Sequence, residues 1–149
     1  MKTLALNRKA KFDYEILEKF EAGLVLSGHE VKSIRLGRMS LKASYVVIRK
    51  NEAYLIGANI PAYQPKNTPK DYDPERSRKL LLNRKEIKYL IGKTKEKGLT
   101  LIPLKVYTKY AKIKLGFAVS KGKIKTDKRQ AIKKREAQRQ IERELKLRG

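Results

Sequence analysis

The stretch Ala111-Lys112-Ile113-Lys114-Leu115-Gly116-Phe117-Ala118-Val119 decides the fold. Ile113, Leu115, Phe117 and Val119 take alternate positions, with Lys112 and Lys114 between them, a period of two that sorts side chains onto opposite faces only in an extended chain. It reads as a strand with one face on a core and one basic face. Leu99 to Tyr107, just upstream, is a second β-rich run.

The same reading extends outward. Ser44–Arg49 and Glu52–Ile60 are rich in Val, Ile and Tyr and are separated by Lys50 and Asn51, the pattern of a hairpin. Tyr14, Ile16, Phe20, Ala22, Leu24 and Leu26 alternate, interrupted only at Glu18, and Lys79–Leu82 is a further short run. Two segments switch to a helical period. Ser27 with Glu30, and Asn83 with Glu86, have capping-box spacing; Val31 and Ile34 follow the first, Ile87, Leu90 and Ile91 the second. Gly37 and Gly98 supply the stops, and Lys93, Lys95 and Lys97 load the end that favours cations. Residues 61–76 carry Pro61, Pro65, Pro69 and Pro74 and read as a long exposed loop. About six short strands and two helices, with links too short for crossover helices, predict a mainly β domain folded as a small closed or partly open barrel.

At 149 residues and 17.2 kDa the chain has room for one domain with a hydrophobic core. Lys and Arg number 38 against 15 Asp and Glu, a net charge of +23 that points to a polyanionic partner. Twelve basic and four acidic residues lie between Lys121 and Gly149, a net +8, which leaves +15 for residues 1–120. The tail is about twice as charge-dense, but most of the excess belongs to the folded part. Residues 1–10 read as a loose basic arm, 11–121 as the barrel domain and 122–149 as a tail. Asp127 to Leu147 is helix-prone, but its thin apolar stripe of Ala137, Ile141 and Leu145 cannot offset the ordering entropy, so disorder in the free protein is expected.

Most enzyme classes have no foothold. With zero Cys there is no disulfide, thiol nucleophile or sulfur-ligated zinc, and with one His no multi-histidine metal site. His29 lies in the first turn of the first helix without a nucleophile motif and reads as an exposed helix-start residue. Asp71 and Asp73 fall short of the ligand count a hard cation needs, and no phosphate-binding Gly-rich loop is present. Neither a cofactor nor a metal is expected. No apolar membrane span or signal segment is apparent, so a cytoplasmic location is expected. Abundant charge of both signs can reflect adaptation to heat, but a +23 excess needs phosphates to neutralise. Phe20, Tyr45 and Phe117 fall at inward positions, while Tyr63, Tyr72 and Tyr110, in loops, are candidates to stack on bases.

Asn7-Arg8-Lys9-Ala10 with Asp13-Tyr14, Phe20-Glu21-Ala22-Gly23, Gly28-x-Glu30-Val31-Lys32-Ser33 and Ser44-Tyr45 form a series of short motifs. The series continues in Asp73-Pro74-x-Arg76-x-Arg78-Lys79-Leu80-Leu81-Leu82, Lys97-Gly98-Leu99-Thr100, Pro103-Leu104-Lys105, Lys121-Gly122-Lys123 and Asp127-Lys128-Arg129. In this order and spacing, nearly end to end, the chain resembles the SsrA-binding protein family, also called small protein B. The resemblance implies an oligonucleotide-binding-type barrel with two or three flanking helices and a basic C-terminal tail. It also implies a non-enzymatic adaptor in trans-translation, which binds the tRNA-like domain of transfer-messenger RNA and delivers it, with elongation factor Tu, to stalled ribosomes.

The family's RNA-binding positions map onto Glu21, Leu81, Asn83 and Lys114. A carboxylate among them can accept from a base amino group or a 2′-hydroxyl, which Lys cannot. Arg76, Arg78, Lys79 and Lys112 are candidate phosphate contacts. The resemblance further implies that the tail enters the empty message channel and becomes helical against small-subunit ribosomal RNA, through Lys123, Asp127, Lys128, Arg129, Ile132, Lys133 and Arg135. Thr126 stands where the family usually has Tyr or His, so no ring is available to stack there. A ribosomal or ribosome-assembly protein that binds structured RNA is the alternative.

Overall fold

A computed structural model describes the backbone of residues 1–123 and 125–148, and the side chains of residues 1–123 and 132–143. In chain order the elements are β1 (Lys2–Leu6), α1 (Ala10–Asp13), β2 (Tyr14–Leu24), α2 (Gly28–Arg35), β3 (Tyr45–Arg49), β4 (Glu52–Ile56), β5 (Arg78–Leu81), α3 (Arg84–Thr94), β6 (Leu99–Lys109), β7 (Lys112–Gly122) and α4 (Lys125–Arg148).

The two β-rich runs at the end of the domain form its longest hairpin. β6 and β7 pair antiparallel from Leu99 opposite Lys121 to Lys109 opposite Lys112, and Tyr110 and Ala111 make the turn with φ of 50° and 61°. β2 pairs with the other edge of β7, and β5, β4 and β3 continue from it until Val46 of β3 meets Leu101 of β6. The strands therefore close in a ring, β6-β3-β4-β5-β2-β7, the small barrel that the strand pattern predicts. The β3–β4 turn falls on Lys50 and Asn51, with φ of 50° and 61°, as the hairpin reading requires. β4 ends earlier than expected, at Gly57, whose φ of 79° turns the chain away and whose missing Cβ leaves room for the Ala43 carbonyl.

Inside the ring lie Leu55, Leu80, Leu101, Val106, Leu115 and Phe117, and Ile34 of α2 and Leu90 of α3 join the same core. Burial of each such side chain contributes roughly 1.5–3 kcal/mol. Both helix starts are held as their spacing predicts. The Ser27 amide donates to Glu30 Oε1 (3.0 Å), and Asn83 and Glu86 exchange reciprocal bonds, Glu86 N–H to Asn83 Oδ1 at 2.8 Å and Asn83 N–H to Glu86 Oε1 at 3.3 Å. The break in alternation at Glu18 coincides with a register shift between Ile16 and Glu18 in the β2–β7 ladder.

Three expectations are corrected. The arm at residues 1–10 is not loose: Lys2–Leu6 pairs with Lys105–Thr108 of β6 on the edge that β3 leaves uncovered, because an open edge of backbone donors and acceptors is best satisfied by another strand. Between Leu115 and Ser120 β7 has no solvent face, since Gly116, Ala118 and Ser120 are buried along with the core residues between them; β7 lies between β2 and β6, and small residues let other groups cover its outer side. Tyr45 points outward and is 42% exposed, whereas Phe117 is in the core and Phe20 packs against it with ring centroids 5.6 Å apart. Residues 125–148 form α4, in the segment that reads as helix-prone; Arg135 of α4 lies over the Phe12 ring of α1 at 5.2 Å, while Ile132 and Ile141 remain exposed.

Candidate nucleic-acid interface

The ladders place a continuous row of residues across four strands on the outside of the ring. Tyr107 of β6 lies opposite Lys114 of β7, Lys114 opposite Gly23 of β2, and Gly23 opposite Leu81 of β5. Directly paired residues in antiparallel strands share a face, so these four and Glu21, two positions from Gly23, all point outward. Gly23 has a steric reason: a Cβ there would meet Leu81 Cδ1 at 3.3 Å, so the leucine lies across the glycine. Leu81 is 57% exposed and so does not fill the barrel.

Glu21 is the acceptor in this basic surface. The Tyr107 hydroxyl donates to Glu21 Oε2, and Lys109 Nζ lies 3.3 Å from Oε1. The Tyr107 bond holds the Glu21 carboxyl below its ordinary range; burial opposes it, and Lys109 and Lys114 reinforce it. Burial, followed by the Glu21 hydrogen bond and charge, pushes the Tyr107 phenol well up, so the tyrosine stays a neutral donor. Lys105 Nζ lies 5.2 Å from the centre of the same ring. Lys109 and Lys112 are directly opposite at the hairpin end, a like-charge pair in which Lys109 meets its counter-ion in Glu21. Asn83, two residues beyond Leu81, is exposed; its Oδ1 caps α3, and its amide NH2 has no acceptor among the described residues. Lys79 shares the outward parity of Leu81 and is bonded to Glu52 at 3.0 Å.

Glu21, Leu81, Asn83, Lys114, Lys112 and Lys79 thus lie on the outer surface. Arg78 does not, and its expected phosphate contact is corrected. Its guanidinium is fully buried, donating to Glu30 Oε2 from Nε (3.0 Å) and Nη2 (2.6 Å) and to the Ala58 carbonyl from Nη1 (2.8 Å). A buried charge must find a partner, and α2 supplies one. Arg76 is also bonded to Glu30 but keeps 38% of its side chain exposed. Tyr72 is drawn into the same cluster, donating to the Ile60 carbonyl (2.7 Å) and accepting from Arg78, and is therefore an anchor for the 61–76 loop; its expected stacking role is corrected. His29 is half-buried, edge-on to Tyr72 at 4.7 Å, with its Nδ1 buried and, among the described residues, without a hydrogen-bond partner. The expected exposed position is overturned because Tyr72 covers it. Tyr110 is 89% exposed at the hairpin tip, and Tyr63 lies under Lys32.

Sequence reasoning missed Tyr107, Lys105 and Lys109 in this surface. Their alternation across Leu99–Lys109 was the available signal, because it gives them the parity of Lys112 and Lys114. In the tail, Lys123 donates to the Lys11 carbonyl at 2.9 Å. Lys133 and Arg135 are exposed on α4 with Ile132, while the side chains of Asp127, Lys128 and Arg129 lie outside the described residues.

The SmpB protein family model matches residues 4–147. The chain belongs to the SmpB family. Its relatives include the SsrA-binding protein of Sulfurihydrogenibium sp. (strain YO3AOP1), 51% identical over 145 residues, covering 97% of this chain and 95% of that protein. The SsrA-binding protein of Geobacillus kaustophilus (strain HTA426) is 53% identical over 149 residues, covering 99% and 94%. Among solved structures, a chain from "tmRNA-SmpB: a journey to the center of the bacterial ribosome" superposes with a TM-score of 0.67 at 41% identity, covering 85% of this chain and 92% of that one. In this SmpB-family chain no helix among the described residues is long and apolar enough to cross a membrane.

Proposed function

We propose that the chain is an RNA-binding adaptor of trans-translation, which binds the tRNA-like domain of transfer-messenger RNA on the outer face of β2, β5, β6 and β7 and brings it to stalled ribosomes. The observation that carries this reading is the row Tyr107-Lys114-Gly23-Leu81 with Glu21 beside it. A surface meant only to neutralise phosphate has no use for an ionised carboxylate and an exposed leucine. A surface that reads a folded RNA uses the first to accept from a base or 2′-hydroxyl and the second to cover a base or ribose. Lys114, Lys112 and Lys79, with Asn83 as a donor, supply the surrounding phosphate and sugar contacts, and Arg76 contributes from its exposed side. The bound RNA travels with elongation factor Tu in a cytoplasmic complex, and the chain itself does no catalysis.

The tail carries the second role. Lys123, Asp127, Lys128, Arg129, Ile132, Lys133 and Arg135 engage small-subunit RNA in the vacant message channel, with α4 as the helix they present. Residues 11–121 serve as the RNA-binding unit and residues from 122 as the ribosome-reading unit. Sequencing the RNA that copurifies at moderate salt tests the assignment. One dominant transfer-messenger species is expected; bulk ribosomal RNA alone would overturn it in favour of a ribosomal or assembly protein.

A further inference from the structure

Next to the Glu21 face is a cavity of about 550 Å³, lined by the Leu6–Lys11 region and by the outer sides of β2, β6 and β7. This is within the size range of small-ligand sites, roughly 300–1,000 Å³. Leu6, Leu104 and Tyr107 give it an apolar lining. A Cβ on Gly116 would meet Tyr107 Cε1 at 3.2 Å, so the glycine lets this ring lie close over β7. The cations lining it are Arg8, Lys11, Lys19 and Lys105, the first three exposed. None of the four enters an ion pair among the described residues. Glu21 is the single carboxylate in the lining.

An apolar slot with cations around it and one carboxylate inside fits a ligand that is flat and apolar on its faces, bears N–H donors on its edge and carries an anion. We propose that this cavity takes one unstacked guanine nucleotide of the bound RNA, its base against Leu104 and Tyr107 with N1–H and N2–H directed to Glu21, and its phosphate among Arg8, Lys11 and Lys19. This rests on the reading of the Glu21 face as the RNA interface. Guanine is favoured because it offers two adjacent donors on one edge, matching a carboxylate. Uracil offers one N–H between two carbonyl oxygens, which the same carboxylate repels. Glu21 has lone pairs left for this, since its donors among the described residues are Tyr107 and Lys109.

The test is an amide chemical-shift titration of the full chain with GMP, UMP and inorganic phosphate at millimolar concentration. GMP should shift Leu104, Tyr107 and Gly116 saturably, UMP should bind at least about fivefold more weakly, and phosphate should move only residues near Arg8, Lys11 and Lys19. Leu6→Trp, at an exposed strand-edge position, should block the GMP shifts without lowering the melting temperature, and Glu21→Gln should erase the preference over UMP. Equal shifts from all three ligands, a preference that survives Glu21→Gln, or silence at Leu104, Tyr107 and Gly116 would overturn the pocket. Binding of the tRNA-like domain, measured in parallel, separates the two failures. If it persists while the cavity is silent, only the pocket falls; if it is absent, the interface reading falls with it.

Discussion

Arg78 donates from both Nε and Nη2 to one oxygen, Oε2, of Glu30, at 3.0 and 2.6 Å, and both side chains are fully buried. Glu30 also accepts from Arg76 and from the Ser27 amide, and the Tyr72 hydroxyl lies 3.2 Å from its Oε2. One carboxylate thus ties the start of α2, the strand β5 and the long loop at 61–76 to each other, behind the surface that carries Leu81 and Asn83.

Removing either charge leaves the other buried without its counter-ion. Glu30→Ala is expected to lower stability by about 3–5 kcal/mol, read as a drop in the urea midpoint. Arg78→Met, which removes the other charge, should also destabilise, but under conditions where it remains folded its affinity for the tRNA-like domain should stay within about twofold of the parent. A tenfold loss of affinity in folded Arg78→Met would restore Arg78 as a phosphate contact.

The same cluster sets an acid limit. Burial pushes the Glu30 carboxyl up, but hydrogen bonds from Arg76, the Ser27 backbone and Arg78 outweigh it and hold the group down to about 2, against 4.5 ordinarily. A folded value below the unfolded one means stability that is fully present above pH 4.5 and is lost as pH falls toward 2. The amount is about 3 kcal/mol. Melting temperature measured across that window should fall steeply in the parent. In Glu30→Gln, which starts lower, this contribution to the slope should be gone.

Lys114 and Glu21 should differ in how salt affects their loss. Lys114→Ala is expected to weaken RNA binding about tenfold and to lower the slope of log affinity against log salt by about 0.7–0.9, because one phosphate neutralisation is removed. Glu21→Gln should weaken binding with the slope unchanged, because a hydrogen-bond acceptor releases no counter-ion. Fluorescence anisotropy at several salt concentrations reads both, and a changed slope for Glu21→Gln would contradict its role as an acceptor.

Truncation after Gly122 removes α4 but leaves every strand pairing of the ring. RNA affinity should change by less than about threefold, while tagging on stalled ribosomes in a reconstituted translation reaction should be lost. A large loss of affinity would show that the tail shares the first RNA site.

Much of this fold is local chemistry, and local chemistry is written in the sequence. The period of two in Ile113, Leu115, Phe117 and Val119 places a core face on β7 whatever its neighbours are. Ser27 with Glu30, and Asn83 with Glu86, start helices because each pair satisfies backbone donors within one turn. Lys114 could be assigned to a basic outer face by parity alone. What needed the tertiary structure was every feature whose partner is distant along the chain. Glu30 and Arg78 are 48 residues apart, and Tyr107 and Glu21 are 86 apart. Nothing in either neighbourhood distinguishes a buried arginine from an exposed one, so Arg78 reads as a phosphate contact until ring closure puts Glu30 against it. The same holds for Lys2–Leu6, whose polar surroundings suggest a loose arm but which β6 holds as a strand on its open edge. Alternation decides which side of a strand a residue faces. Only closure of the ring decides what waits on that side.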